Sequence, residues 1–263
     1  MAIFVPCFFF FYLLLTVSCA AAATDCDACL RQSKAAYFHS SSPISSGACG
    51  YGYLAKDLYE GYTAAGVPSL FKDGVGCGTC FLVKCKDKKL CRGRGTKVVL
   101  TNNYKSDSGI DLVLSDRAFI SMAYKDKARE MLDRRIIDIE YKRIPCEYTN
   151  QNLSVRVEAS SKKPDSLAVA FLYQGGQTEI VAVSVIDQFG RSRPMVRIYG
   201  TVWDMSPVPE GPLSFSLLVA QGFDGSMAAS EKDLPADWKV GEIYDLGVQM
   251  NGIIDYRDGC SGC

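Results

Sequence analysis

Gly76-Cys77-Gly78-Thr79-Cys80-Phe81-Leu82-Val83-Lys84-Cys85 sets three cysteines and two glycines in ten residues and runs directly into a strand candidate, Phe81 to Cys85. A short strand entered through a glycine turn and bracketed by cysteines marks a small, covalently stapled β domain. Upstream lies a second glycine-cysteine stretch, Gly47-Ala48-Cys49-Gly50-Tyr51-Gly52. Downstream, Lys97 to Thr101 and the longer Arg135 to Ile144 read as further strands. Ser115 reads as the N-cap of a short helix whose apolar stripe, Ala118, Phe119, Met122 and Ala123, belongs in a core. One helix among several short strands points to a disulfide-bonded β-barrel.

After Glu147 the pattern changes to a period of two. Leu153, Val155 and Val157 alternate with Ser154, Arg156 and Glu158, and Leu167, Val169, Phe171 and Tyr173 repeat the alternation. Leu213, Phe215 and Leu217 do the same, with further strands at Ile180 to Val185 and Met195 to Tyr199. Turn signals fall at Gly175-Gly176, Gly190 and Pro209-Glu210-Gly211-Pro212. This is the pattern of an antiparallel β-sandwich.

The whole chain has 263 residues, 48% of them hydrophobic and 22% charged, with 29 basic and 29 acidic side chains. That composition excludes a disordered polymer, and the neutral total argues against a nucleic-acid binder. The charge is unevenly divided. Residues 25 to 146 hold 20 basic and 14 acidic side chains, a net of +6, and residues 147 to 263 hold 9 and 15, a net of −6. Two domains with different surfaces are expected.

Met1 to Ala23 carries no charge, and Phe8 to Leu15 is followed by Ala20-Ala21-Ala22-Ala23. This reads as a secretory signal peptide cleaved between Cys19 and Thr24, leaving no membrane attachment. The absence of Lys or Arg before the apolar core leaves an uncleaved anchor as the alternative. Ten cysteines remain after residue 23, and in an exported chain an even number implies disulfides. Cys26-x-x-Cys29, Cys77-x-x-Cys80 and Cys260-x-x-Cys263 also have zinc-ligand spacing, but the oxidising compartment argues against metal, and no cofactor is expected. The single sequon, Asn152-Leu153-Ser154, falls where an exposed linker would lie.

The motifs at 47–52 and 76–80, with Phe71-Lys72-Asp73-Gly74 before the second and Ile144-Pro145-Cys146 closing the half, resemble the plant expansin superfamily. Leu167-Ala168-Val169, Ile198-Tyr199-Gly200-Thr201-Val202-Trp203 and Ala236-Asp237-Trp238 extend the likeness. Asp111-Leu112-Val113-Leu114-Ser115 and the cysteine-rich tail resemble its expansin-like A subgroup. The resemblance implies an all-β protein: a double-psi β-barrel similar to family-45 glycoside hydrolases, then an immunoglobulin-like, polysaccharide-binding β-sandwich. The expected division is a leader at 1–23, an extension at 24–45, a barrel at 46–149, a sandwich at 150–248 and a tail at 249–263. By position it also implies disulfides Cys49–Cys77, Cys80–Cys146 and Cys85–Cys91. It leaves the partners of Cys26, Cys29, Cys260 and Cys263 open.

Inverting hydrolysis needs a carboxylic acid and a second carboxylate. The resemblance implies a wall-loosening protein that retains only the acid, in a His-Phe-Asp motif. Here the motif reads Asp111-Leu112-Val113, so Val113 stands at the acid position. Asp111 shares its face of the strand but is displaced by about 6 to 7 Å. It reads as a solvated strand-end carboxylate or a sugar contact. Ala36-Tyr37-Phe38 replaces a Thr-aromatic-Tyr run, and Asn102 stands where relatives often carry Asp. An amide can hydrogen-bond a sugar but cannot act as a general acid. Hydrolysis is therefore not expected, and His39, the only histidine, reads as a loop residue.

For polysaccharide binding, flat aromatic faces stack on pyranose rings. Family position nominates Tyr173 and Trp203 as exposed stackers with Tyr199 beside them, the even spacing of 199 and 203 placing both on one strand face. Trp238 is expected in the core. Tyr51 and Tyr53 either line the groove or fill the barrel. Lys84, Lys86, Lys88, Lys89, Arg92, Arg94 and Lys97 read as a solvated hairpin or as an attraction for acidic wall polymers such as pectin. The implied partners are cellulose and xyloglucan, bound by a secreted, monomeric wall protein.

Overall fold

The computed structural model describes residues 29–39, 47–105, 109–221 and 224–251. The signal peptide and the pairing of the four terminal cysteines lie outside the described residues, although Cys29 is disulfide-bonded.

Six strands close a barrel: β1 (Arg31–Phe38), β2 (Thr63–Gly66), β3 (Cys80–Cys85), β4 (Thr96–Asn103), β5 (Ile110–Ser115) and β6 (Ile136–Ile144). Their order is β1-β5-β2-β4-β3-β6, with β1 parallel to β5 and β2 parallel to β4, the crossed arrangement of a double-psi barrel. The first strand corrects the expected boundary. Residues 31–38 are not an extension but a barrel strand, paired to both β5 and β6.

Ser115 does cap the helix Asp116–Ser121, its hydroxyl accepting from the Ala118 N–H at 3.3 Å. That helix seats Ala118, Phe119 and Met122 in the barrel core with Leu100, Leu112, Leu114 and Ile139. The disulfides are Cys49–Cys77, Cys80–Cys146 and Cys85–Cys91, with Cα separations of 5.5, 5.3 and 6.0 Å.

The second half stacks two sheets. Its strands are β7 (Ser154–Val157), β8 (Leu167–Leu172), β9 (Glu179–Ile186), β10 (Ser192–Pro194), β11 (Val196–Tyr199), β12 (Val202–Met205), β13 (Ser214–Gln221), β14 (Asp224–Ala229) and β15 (Ile243–Asp245). One sheet runs β10-β9-β13-β14 and the other β11-β12-β8-β7-β15. Alternate residues of both sheets interdigitate in one core: Leu153, Val155 and Val157 meet Val183, Val185, Phe215 and Leu217.

A third apolar cluster belongs to neither domain alone. Leu172 from the sandwich packs with Cys49, Tyr51, Ala55, Leu58, Cys77, Val99 and Cys146 from the barrel. Reciprocal backbone hydrogen bonds between Cys146 and Gly176, 2.8 and 2.9 Å, tie the linker to the first turn of the sandwich beyond β8. A shared core of this kind orients the two domains relative to each other.

Candidate functional site: the seam between barrel and sandwich

The glycine-rich motifs converge on one seam. In the 47–52 loop, the Cys49 N–H donates to the Thr101 carbonyl and the Ala48 N–H to Asn102 Oδ1, at 3.2 and 2.7 Å, which holds the loop along the end of β4. The same loop then meets the β11–β12 turn: the Thr201 N–H and hydroxyl both donate to the Cys49 carbonyl, at 2.9 and 3.0 Å. Arg156 on β7 donates to the carbonyls of Gly50 and Tyr51, at 2.7 and 3.0 Å, and pairs with Glu158. A Cβ on Gly200 would lie 2.4 Å from the Cys49 oxygen, so backbone here packs on backbone. Beneath the seam, buried Glu179 on β9 bridges Lys72 and Arg143 of the barrel at 2.9 and 3.0 Å.

The aromatic residues are distributed differently from the sequence expectation. Trp203 is only 4% exposed and belongs to the sandwich core. A β-turn at Gly200-Thr201 separates Tyr199 from Trp203, so they sit on paired strands rather than along one face, with a register shift between Arg197 and Tyr199. The Arg197 guanidinium lies 4.3 Å from the Trp203 ring centroid, and burial lowers its pKa to about 10. It closes the indole face that was expected to meet sugar.

Tyr199 is exposed, and its ring lies against Gly50 across the seam. Tyr51 is buried, and burial pushes its phenol well above the ordinary range; it fills the inter-domain core rather than lining a groove. Tyr53, two residues on, is 72% exposed. Tyr173 is half-buried with φ +59°, set edge-on to Tyr148 at 5.6 Å, which corrects the expectation of a free stacking face. Trp238 is buried in the core as expected, with Lys163 Nζ 4.4 Å from its ring.

Val113 is buried with Phe38, Ala65 and Ile110, flanked by Ala36 and Tyr104. This apolar patch is unsuited to an ionised acid. Asp111 is half-buried and its carboxylate accepts the Tyr141 hydroxyl at 2.7 Å, so it is neither freely solvated nor in the Val113 patch. Burial and that carboxylate raise the Tyr141 pKa above the ordinary range. Asn102 serves as the clip on the 47–52 loop, also accepting the Asn103 N–H at 2.8 Å.

His39 is exposed, 3.6 Å from Asp116. The basic run is partly neutralised: Lys97 pairs with Glu147 at 2.9 Å and Lys84 approaches Glu140 at 3.9 Å. Lys86, Lys88, Lys89, Arg92 and Arg94 are exposed around the Cys85–Cys91 loop. Asn152 is half-buried at the end of the linker, with its amide 3.4 Å from Asp245.

The seam residues missed by sequence reasoning are Arg156 as a clamp and Gly200 as a point of close approach. Gly200 lies inside a quoted motif. The signal was present, but glycine in a hairpin reads as turn chemistry until its partner 151 residues earlier is known.

Fold and seam together define a two-domain protein, a double-psi barrel docked on an immunoglobulin-like sandwich. Residues 153–232 match the expansin C-terminal domain, and residues 63–141 match a barrel family model described as lytic transglycolase. Expansin-like A2 of Arabidopsis thaliana is 49% identical over 92% of this chain and 91% of its own length. Expansin-like A3 of Oryza sativa subsp. japonica is 41% identical over 92% and 89%. The chain belongs to the expansin family, among its expansin-like A relatives. The crystal structure of apo Clavibacter michiganensis expansin superposes with a TM-score of 0.64 at 18% identity, covering 84% of this chain and 98% of that one. A mutant of that bacterial protein has been solved in complex with cellohexaose.

Proposed function

We propose that this is a secreted plant cell-wall protein that binds β-glucan, cellulose or xyloglucan, along the seam and loosens adhesion between polymers without cutting them. Support for binding comes from the cellohexaose complex of the bacterial expansin, from the exposed ring of Tyr199 beside Gly50 and from the exposed Tyr53 in the turn that follows. The uncharged leader supports secretion, and Asn152 is the position for an N-linked glycan. The cations around the Cys85–Cys91 loop add a salt-sensitive attraction for acidic polymers.

The observation that carries the non-hydrolytic reading is Val113. General-acid catalysis needs a proton donor within hydrogen-bond reach of the leaving oxygen. At the family's acid position this chain has an aliphatic side chain packed on Phe38 and Ala65. The nearby carboxylate, Asp111, is held by Tyr141. The mature protein applied to a clamped, heat-inactivated wall strip should increase extension while releasing no reducing ends. Extension accompanied by reducing ends would make it a hydrolase, and binding without extension would make it an adhesive module.

A further inference from the structure

A cleft of about 600 Å³ opens at the opposite end of β4 from the seam, between the barrel rim and the linker. The seam contacts β4 at Thr101 and Asn102, whereas this cleft is lined by Gly95, Thr96 and Lys97. At about 3.3 Å per strand residue the two regions are roughly 15 to 20 Å apart. Its size falls within the range of about 300 to 1,000 Å³ that small-ligand sites occupy.

Tyr59, Tyr62 and Tyr148 supply its aromatic walls. Tyr59 and Tyr148 meet edge to face at 5.2 Å, and the Glu147 N–H donates to the Tyr59 hydroxyl, so barrel and linker hold one another. Tyr62 is backed by the Arg117 guanidinium, 5.0 Å from its ring centroid. Tyr59 and Glu60 are consecutive non-glycine residues in the left-handed region, with φ +46° and +55°. Such strain persists only where surrounding contacts impose it, and it collects at binding sites.

The polar lining selects the ligand class. Asp57, Glu60 and Glu147 outnumber Arg94 and Lys97, Lys97 is already paired with Glu147, and Arg117 approaches Glu60 at 3.7 Å. With Glu147 and Glu60 each matched by a cation, the lining holds no positive excess to attract a polyuronide. A neutral sugar would find what it needs: tyrosine rings for its apolar face and carboxylate, guanidinium and amide groups for vicinal hydroxyls. We infer that this cleft is a second glycan site that takes a short neutral β-glucan segment, independent of the seam. With two sites roughly 15 to 20 Å apart, one molecule can hold two chains or two stretches of one chain, which raises avidity without any new contact.

Calorimetric titration of the full mature chain with cellohexaose tests this, using Tyr199→Ala to weaken the seam and Thr149→Trp to fill the cleft from an exposed linker position. The wild type should bind two equivalents. Tyr199→Ala should retain one site, and adding Thr149→Trp should weaken that site at least tenfold without changing the melting temperature. Arg94→Ala, at another exposed wall position, should weaken it several-fold, and an oligogalacturonide of equal length should not compete for it. One equivalent in the wild type that Thr149→Trp leaves in place, retention of the site in both cleft variants, or displacement by the oligogalacturonide would overturn the inference. If Tyr199→Ala changes nothing while Thr149→Trp removes a site, the seam reading fails and the cleft stands.

Discussion

Trp203→Ala will destabilise the sandwich by about 3 to 5 kcal/mol, the range for truncating a buried large aromatic, whereas Tyr199→Ala will leave folding almost unchanged and weaken β-glucan binding several-fold. The two aromatics are four residues apart and share one quoted motif, yet their environments differ completely. Trp203 lies in the core that includes Val169, Phe215 and Met205, with Arg197 over its indole. Removing it opens a cavity and strips Arg197 of the ring that covers its buried guanidinium. Tyr199 is 49% exposed and rests on Gly50. Its loss removes a stacking face worth on the order of 1 kcal/mol, and each 1.4 kcal/mol is about tenfold in affinity. Thermal unfolding and cellulose pull-down of both variants separate the roles. A stable Trp203→Ala that no longer binds would return the tryptophan to the surface.

The sandwich was readable because its strands are antiparallel and half-facing a single core, so Leu153-Val155-Val157 and Leu213-Phe215-Leu217 alternate visibly along the chain. In the barrel, β6 was readable for the same reason, whereas β4, parallel to β2 and buried along most of its length, was readable as a short β-branched run. Arg31–Phe38 was not. Its sequence, RQSKAAYF, has no β-branched residue and little alternation, because its place is set by partners far along the chain, Ile110 to Ser115 and Ile136 to Tyr141. β2, Thr-Ala-Ala-Gly, is small for a related reason: a Cβ on Gly66 would fall 2.8 Å from Leu100, so the barrel's crossed strands leave no room for bulk.

The candidate site was legible only in part. The motifs quoted for the resemblance meet at the seam, Gly50 and Gly74 against the 199–202 turn, although nothing in their order shows that they meet. Which side chain faces solvent was decided by two things no local pattern records. One is the turn between Tyr199 and Trp203, which breaks the even-spacing argument. The other is the packing of Leu172 from the sandwich into the barrel cluster that buries Tyr51.

Gly200→Ala should uncouple the two domains, and the size of that effect can be isolated from ordinary glycine strain. Any alanine at φ +49° carries a left-handed backbone penalty of about 1 to 2 kcal/mol. At Gly200 the new methyl would also lie 2.4 Å from the Cys49 oxygen and 2.5 Å from its Cα, both backbone atoms that no rotamer change can move. The turn must retreat, and the two hydrogen bonds from Thr201 to Cys49 go with it. Gly52→Ala is the control: its φ is +59°, yet nothing lies within 4 Å of the added Cβ. Both variants pay the backbone cost, but only Gly200→Ala strikes the seam. Gly200→Ala should therefore increase the radius of gyration in solution scattering, split one thermal transition into two, and lower affinity for long β-glucan at least tenfold. Gly52→Ala should shift the melting temperature and leave shape and affinity as they were. Equal behaviour of the two variants would mean that the 47–52 loop and the β11–β12 turn do not form a rigid binding track, because a surface spanning two domains keeps its geometry only while the domains cannot move apart.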